Sequence, residues 1–180
     1  MKKTVWMSGL ISGAIISLLM VATIPFEDTD HGAVVGYTTM VLAFLFIYFG
    51  VRSYRDTVGK GSISFGRGLA IGTLIAVISS ACYVTTWEVI YYKVSPDFTA
   101  KYAAHELNKA KASGASPEAI AKREAELKKF AEMYKIPAYN VAMTFIEPFP
   151  VGLVIALVSA GVLRRRSRTL PLDVAQASTA

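Results

Sequence analysis

The uncharged stretch from residue 68 to residue 87, GLAIGTLIAVISSACYVTTW, is 20 residues long. An α-helix rises 1.5 Å per residue, so about 20 residues cover a bilayer hydrocarbon core of about 30 Å. Lipid offers no hydrogen-bond partners to the backbone, and a segment that crosses it must satisfy its amides internally. This stretch therefore predicts a transmembrane helix.

Three further apolar stretches of similar length lie on either side of it, and the last of them is interrupted only by Glu147. We predict an all-α membrane protein with a single membrane domain over residues 1–166. Only 18% of the residues are charged, below the roughly 25% usual in soluble domains. The first stretch exceeds a signal-peptide core, so we expect it to be retained. The four predicted spans cover about residues 4–26, 33–51, 68–90 and 141–164.

The basic residues mark the ends of these stretches. The formal net charge is +6, but the connection over residues 27–32 holds three acids and no Lys or Arg, whereas residues 52–67 hold four basic residues. The positive-inside rule then predicts that both termini are cytoplasmic, in the inner membrane of a bacterium, with a disordered tail over residues 167–180. This distribution argues against a nucleic-acid partner and makes the lipid bilayer the expected one.

The long polar segment after the third stretch carries two similar helix-start signals. Ser95-Pro96-Asp97 and Ser116-Pro117-Glu118 each place a capping serine before a proline and an acid. We predict an extracytoplasmic helical hairpin over about residues 96–135, with helices over about residues 96–113 and 117–135.

Two carboxylates near the outer membrane boundary are the main candidate site residues. Glu147 precedes Pro148, which favours a fourth helix that begins there with Glu147 at its positive end; a kinked helix from Ala138 with a buried functional carboxylate is the alternative. Glu88 lies beside residues 87, 91 and 92, which are typical of an interfacial aromatic belt. Separate solvation of the two carboxylates is favoured over a shared cation or proton site.

Small and reactive residues give weaker signals. Gly9 and Gly13 have the spacing of close helix contacts, and packing within the bundle is favoured over a dimer interface. Cys82, the only cysteine, is expected to fill space, and His31 and His105 are expected to be solvated. We predict no metal site, no cofactor and no catalytic residue.

Three short motifs carry a family resemblance: Tyr54-Arg55-Asp56, Gly61-Ser62-Ile63-Ser64-Phe65-Gly66 and Ser95-Pro96-Asp97-Phe98. With the hydrophobic layout over about residues 1–166, they resemble the bacterial membrane-protein family catalogued as domain of unknown function 4199. The resemblance implies a small protein with four spans and supplies no activity. For Arg55 and Asp56 themselves, a pair that fixes the cytoplasmic helix end is favoured over a docking patch.

These observations favour a non-enzymatic scaffold, or a module that interacts with lipids or with a membrane or periplasmic protein. The alternative is an oligomeric unit for permeation of a small solute or ion, with Glu88 and Glu147 lining the route. That alternative requires a homo-oligomer, because four helices enclose little space.

Overall fold

The computed structural model describes residues 2–24 and 32–164, without the side chains of residues 32 and 33. The described part is helical and contains no strands, which confirms the predicted all-α class. It consists of seven α-helices: α1 (Lys2–Thr23), α2 (Gly32–Thr57), α3 (Phe65–Val89), α4 (Phe98–Ala112), α5 (Pro117–Tyr134), α6 (Pro137–Ile146) and α7 (Pro148–Leu163). The predicted tail over residues 167–180 lies outside the described residues.

Four helical segments are long and apolar enough to cross a membrane, as the sequence predicts. They are Lys2–Thr23, Val34–Thr57, Phe65–Val94 and Pro137–Leu163. At 1.5 Å per residue, even the first, with 22 residues, reaches across about 30 Å of hydrocarbon.

Small residues bring α3 close to both α1 and α7. A Cβ atom on Gly13 would lie 2.6 Å from Cys82 Sγ, and one on Gly72 would lie 2.8 Å from Ala156 Cβ. Such close approach lets backbones pack in a medium that provides little hydrophobic driving force between helices. The same contact brings Ser79 Oγ within 3.2 Å of the Gly9 carbonyl oxygen, to which it donates.

Large apolar side chains fill the centre of the bundle between these close contacts. They come from α2 and α3 and are fully buried: Phe44, Ile47, Ile71 and Ile75. Other large apolar side chains, such as Leu18 and Val162, are about 70% and 67% exposed on the spans. This distribution suits a bundle whose outer surface contacts lipid, because exposed apolar side chains carry no penalty there.

The turn between α2 and α3 explains the glycine-rich motif at residues 61–66. Lys60 and Gly61 both have positive φ, at 49° and 83°, and a Cβ on Gly59 would overlap the Ser62 carbonyl oxygen. Ser64 then caps α3 by accepting a hydrogen bond from the Arg67 N–H at 3.4 Å. The motif reverses the chain and starts the next helix.

The fourth span differs from the favoured interpretation of Glu147. α6 ends at Ile146, Glu147 has helical φ and ψ of −69° and −60°, and its side chain makes no capping hydrogen bond to α7. The favoured start at Pro148 holds for α7, with Glu147 in the capping position, but the span as a whole begins with α6, and Glu147 makes no side-chain cap bond. Pro148 lacks an N–H and its ring crowds the preceding turn, which accounts for the division between α6 and α7. The Glu147 side chain lies at the surface of the bundle and is not packed inside it.

The two helix-start signals of the polar segment also have different outcomes. Ser116 accepts a hydrogen bond from the Ala119 N–H at 3.2 Å and caps α5. Ser95 caps nothing: α3 continues as a π-helical segment over Ile90–Val94, and α4 begins at Phe98 with Asp97 in the capping position and no side-chain cap bond. The predicted start of this helix at about Pro96 is wrong by two residues. Ser95 ends the π-helical turn and therefore does not cap α4.

Helices α4 and α5 contact each other by one ion pair and by aromatic rings. Arg123 Nη2 lies 2.6 Å from Glu106 Oε2, and the rings of Tyr102 and Phe130 have centroids 6.0 Å apart. These contacts hold the two polar helices against each other, and the Phe98 ring of α4 packs on Trp87 near the end of α3. We call the end of the bundle where α4 and α5 lie the aromatic end. We call the end with Lys2, Lys3 and the α2–α3 turn the basic end.

Candidate functional site

Aromatic side chains from α3, α4 and α5 cluster at the aromatic end. The Trp87 and Phe98 rings are 4.7 Å apart in an edge-to-face arrangement, and the Tyr91 and Tyr134 rings are 5.4 Å apart. Trp87 and Tyr91 are each only 7% exposed. Their interpretation as an aromatic belt at the lipid interface is therefore wrong, because they pack against α4 and α5; Tyr92, at 49% exposed, faces outward.

A directed chain of hydrogen bonds crosses this cluster. Trp87 Nε1 donates to the Tyr134 hydroxyl at 2.8 Å, and the Thr144 hydroxyl donates to Asn140 Oδ1 at 3.2 Å. Tyr134 and Thr144 are 3.2 Å apart, and since the Thr144 proton is used, Tyr134 is the donor between them. All four side chains are buried, so each lost partner would leave a polar group unsatisfied.

Burial raises the pKa of Tyr134 above its ordinary value, and the negative charges of Glu147 and Glu88 act in the same direction. The hydrogen bonds with Thr144 and Trp87 oppose this shift. Burial is the largest of these effects, so the Tyr134 phenol keeps its proton well past neutral pH and remains a donor.

A cavity of about 440 Å³ opens beside the cluster, and we call it the aromatic cavity. Helices α1 and α2 form one side of it, with Met20 and Gly36 among the contributing residues. Its volume is in the range that small-molecule sites occupy. The other side carries most of its aromatic rings: Tyr83, Trp87, Phe98, Tyr102 and Tyr134.

Charged residues line the aromatic cavity at two places. Glu147 contributes a carboxylate whose Oε2 accepts a hydrogen bond from the Tyr83 hydroxyl at 3.1 Å. Helix α4 contributes His105, Glu106 and Lys109, of which Glu106 is already paired with Arg123. The cavity thus combines aromatic faces with one accessible carboxylate and a charged rim.

The two carboxylates singled out from the sequence have different surroundings. Glu147 lines the aromatic cavity, whereas Glu88 is not among the lining residues that the structure describes. Glu88 is half-buried, and its Oε1 has no hydrogen-bond partner in the described part of the chain. Asn140 Nδ2, at the end of the hydrogen-bond chain, also has no hydrogen-bond partner in the described part of the chain.

The Arg55–Asp56 pair, at the basic end, joins neighbouring residues of the chain. Arg55 Nε lies 2.7 Å from Asp56 Oδ1, and Arg52 Nε lies 3.6 Å from Asp56 Oδ2. One carboxylate therefore serves two arginines at the end of α2. Exposed pairs of this kind contribute little to stability, so their main effect is to order the helix end.

The remaining residues singled out from the sequence are two glycines and two histidines. Gly9 and Gly13 lie against Ile78 and Cys82 of α3, within one chain. His105 lines the aromatic cavity, and His31 lies outside the described residues. Over residues 2–24 and 32–164, no group of three His, Cys, Asp or Glu is placed to hold a metal ion.

Sequence reasoning missed most of the residues that build the cavity. Asn140 and Thr144, four residues apart, are the polar positions on one face of an otherwise apolar stretch. Tyr83 and Trp87 have the same spacing on α3. This spacing puts the polar or amphipathic side chains of each pair on one helix face. The pattern could have predicted a buried hydrogen-bond chain.

Fold and site together define a multi-pass membrane protein with four spans and a cavity at one end. The chain belongs to the family described as "Protein of unknown function (DUF4199)", whose model matches residues 7–165. This match confirms the resemblance carried by the three sequence motifs. No curated protein and no solved structure matches the chain.

Proposed function

We propose that this protein is a non-enzymatic membrane receptor whose aromatic cavity binds a small ligand with an apolar body and an ammonium group. The observation that carries the proposal is the combination of aromatic faces with the Glu147 carboxylate around about 440 Å³. Ring faces and carboxylates both attract cations, and aromatic cages are the usual protein site for quaternary ammonium groups. This proposal differs from the scaffold or partner- and lipid-interaction function that the sequence favours, and shares with it only a non-enzymatic role.

The position of each group suits such a ligand. Tyr83 donates to Glu147 and so holds the carboxylate at the cavity wall, where a cation could replace solvent beside it. Trp87 contributes the small part of its ring that lines the cavity, and its bond to Tyr134 holds that part in place. Binding groups that are already ordered lose little conformational entropy when the ligand arrives.

The proposal includes an orientation in the inner membrane of a bacterium. The basic end carries Lys2, Lys3, Arg52, Arg55, Lys60 and Arg67, and the positive-inside rule assigns such an end to the cytoplasm. Both termini are then cytoplasmic, and the α4–α5 hairpin and the aromatic cavity face the periplasm. A periplasmic ligand, or a periplasmic protein that delivers it, would meet the cavity directly.

The permeation alternative receives less support. Phe44, Ile47, Ile71 and Ile75 fill the centre of the bundle, so a route through one chain would have to displace them. Glu88 and Glu147 do not line one cavity, which removes the main reason for treating them as a shared ion site. A route between the chains of a homo-oligomer stays a hypothesis.

The first prediction concerns ligand binding by the full chain in lipid nanodiscs. Trp6→Phe leaves Trp87 as the sole tryptophan, so its fluorescence reports on the cavity. Titration with benzyltrimethylammonium should give a saturable change, and benzylphosphonate, with the opposite charge, should not. Glu147→Gln should weaken the ammonium affinity about tenfold, equivalent to about 1.4 kcal/mol.

Two glycines provide a matched pair of blocking variants. Gly36 lines the cavity, and a Cβ added there or on Gly161 of α7 would meet no atom of residues 2–24 and 32–164 within 4 Å. Gly36→Leu should therefore fold and occupy the cavity, which abolishes the saturable signal, whereas Gly161→Leu should leave it unchanged. Equal responses from the two variants, or no saturable response in the parent, would refute the proposed function.

A further inference from the structure

A second concave surface lies between α1 and α2 at the basic end, on the outside of the bundle. It encloses about 430 Å³, and we call it the α1–α2 groove. The residues of each helix that line it recur every three or four positions, so they form one stripe along each helix. The two helices are antiparallel, which places the start of α1 beside the end of α2.

The chemistry of the groove changes along its length. Lys3, Ser53 and Thr57 lie at its basic end, and Met7, Phe46 and Phe49 lie deeper in the span. Thr57 and Phe46 are 11 residues apart on α2, which corresponds to about 16 Å along the helix axis. A charged and hydroxyl-bearing end thus passes into an apolar slot within the thickness of one leaflet.

Gly50 and Ser8 explain why a groove exists between the two stripes. A Cβ on Gly50 would lie 2.9 Å from Ser8 Cβ, so the helices touch where both residues are small. The larger side chains on either side, Met7 and Phe49, are 52% and 53% exposed and form the walls. A slender apolar chain could lie between them.

We propose that the α1–α2 groove binds one anionic glycerophospholipid of the cytoplasmic leaflet. The Lys3 ammonium and the Ser53 hydroxyl would donate to the lipid phosphate, and an acyl chain would lie against Met7, Phe46 and Phe49. Charge complementarity supports this occupant: at the basic end the described residues include Lys2, Lys3, Arg52, Arg55, Lys60 and Arg67 against the single acid Asp56. Anionic headgroups are attracted to such a cluster, and a charge-assisted bond to phosphate adds a fixed position.

The test compares two adjacent lysines. Lys2 and Lys3 carry the same charge and are both exposed, but only Lys3 lines the groove. The full chain, purified in detergent, is mixed with equimolar phosphatidylglycerol and phosphatidylcholine, and native mass spectrometry counts the bound lipids. We expect one retained phosphatidylglycerol, a loss of its preference by about tenfold in Lys3→Gln, and a change below about twofold in Lys2→Gln.

The other outcomes would overturn the proposal. An equal loss in Lys2→Gln and Lys3→Gln would mean that bulk charge attracts the lipid without a defined site. Displacement by free glycerol phosphate at the same concentration would mean that the apolar slot holds no acyl chain. Ser53→Leu, which narrows the headgroup end, should also release the lipid, and retention in that variant would count against the assignment. This site is separate from the aromatic cavity, so either binding proposal can fail alone; only its assignment to the cytoplasmic leaflet rests on the orientation in the proposed function.

Discussion

At the residue scale, Tyr134 connects the polar and aromatic halves of the cavity wall. Its hydroxyl accepts from Trp87 and donates to Thr144, while its ring stacks near Phe130 at 5.0 Å between centroids. Tyr134 is 6% exposed, so solvent offers its hydroxyl little as a substitute partner. We infer that this single oxygen fixes the orientation of the indole that the ligand would meet.

Tyr134→Phe should destabilise the protein by about 1–3 kcal/mol, because it leaves the Trp87 N–H buried without an acceptor. Tyr92→Phe is the matched control, since Tyr92 is 49% exposed. Unfolding in detergent, followed by helix circular dichroism, would measure both variants. Equal stability of the two variants would show that the Tyr134 hydrogen bonds contribute nothing.

The raised pKa of Tyr134 adds a pH dependence with a definite sign. A group whose pKa is higher in the folded state binds its proton more tightly there, so its contribution is complete below the unfolded value of about 10. That contribution is lost as pH rises through the folded value. The stability difference between the parent and Tyr134→Phe should therefore shrink at alkaline pH, above about 10.

At the element scale, the sequence predicts the spans well and the junctions poorly. The four spans follow from lipid physics, because uncharged stretches of this length must be helical in a bilayer. The division at Glu147 follows from Pro148, but the π-helical turn over Ile90–Val94 does not follow from local sequence. That turn depends on how Tyr91 and the helices around it pack, which a single segment cannot specify. The cavity could not be predicted from any single segment, since six described helices, α1 to α6, and the Glu147 junction contribute to it.

Helix packing gives a prediction at this scale. Gly72→Val should destabilise the bundle by about 1–3 kcal/mol, because a Cβ there would lie 2.8 Å from Ala156 Cβ and 3.1 Å from Ala156 Cα, which is backbone. Gly161→Val, on the same helix pair but in open space, is the matched control. Thermal unfolding of both in one detergent would separate them. A Gly72→Val variant as stable as Gly161→Val would contradict the α3–α7 contact.

At the scale of the whole molecule, the two ends of the bundle have different chemistry. The basic end collects cations and an amphipathic groove, and the aromatic end collects rings, the Glu147 carboxylate and the two polar helices. A membrane protein with such polarity is suited to hold itself in one orientation and to meet its ligand on one side. The proposed function requires that side to be the periplasm.

Side-specific labelling of two engineered cysteines tests this account most directly. In a Cys82→Ser background, which removes the only native thiol, Lys109→Cys places a thiol at the rim of the aromatic cavity and Lys60→Cys places one in the α2–α3 turn. A membrane-impermeant maleimide added to intact bacterial cells, with the outer membrane made permeable, should label position 109 at once and position 60 only after lysis. Labelling of position 60 in intact cells while position 109 stays protected would contradict the account.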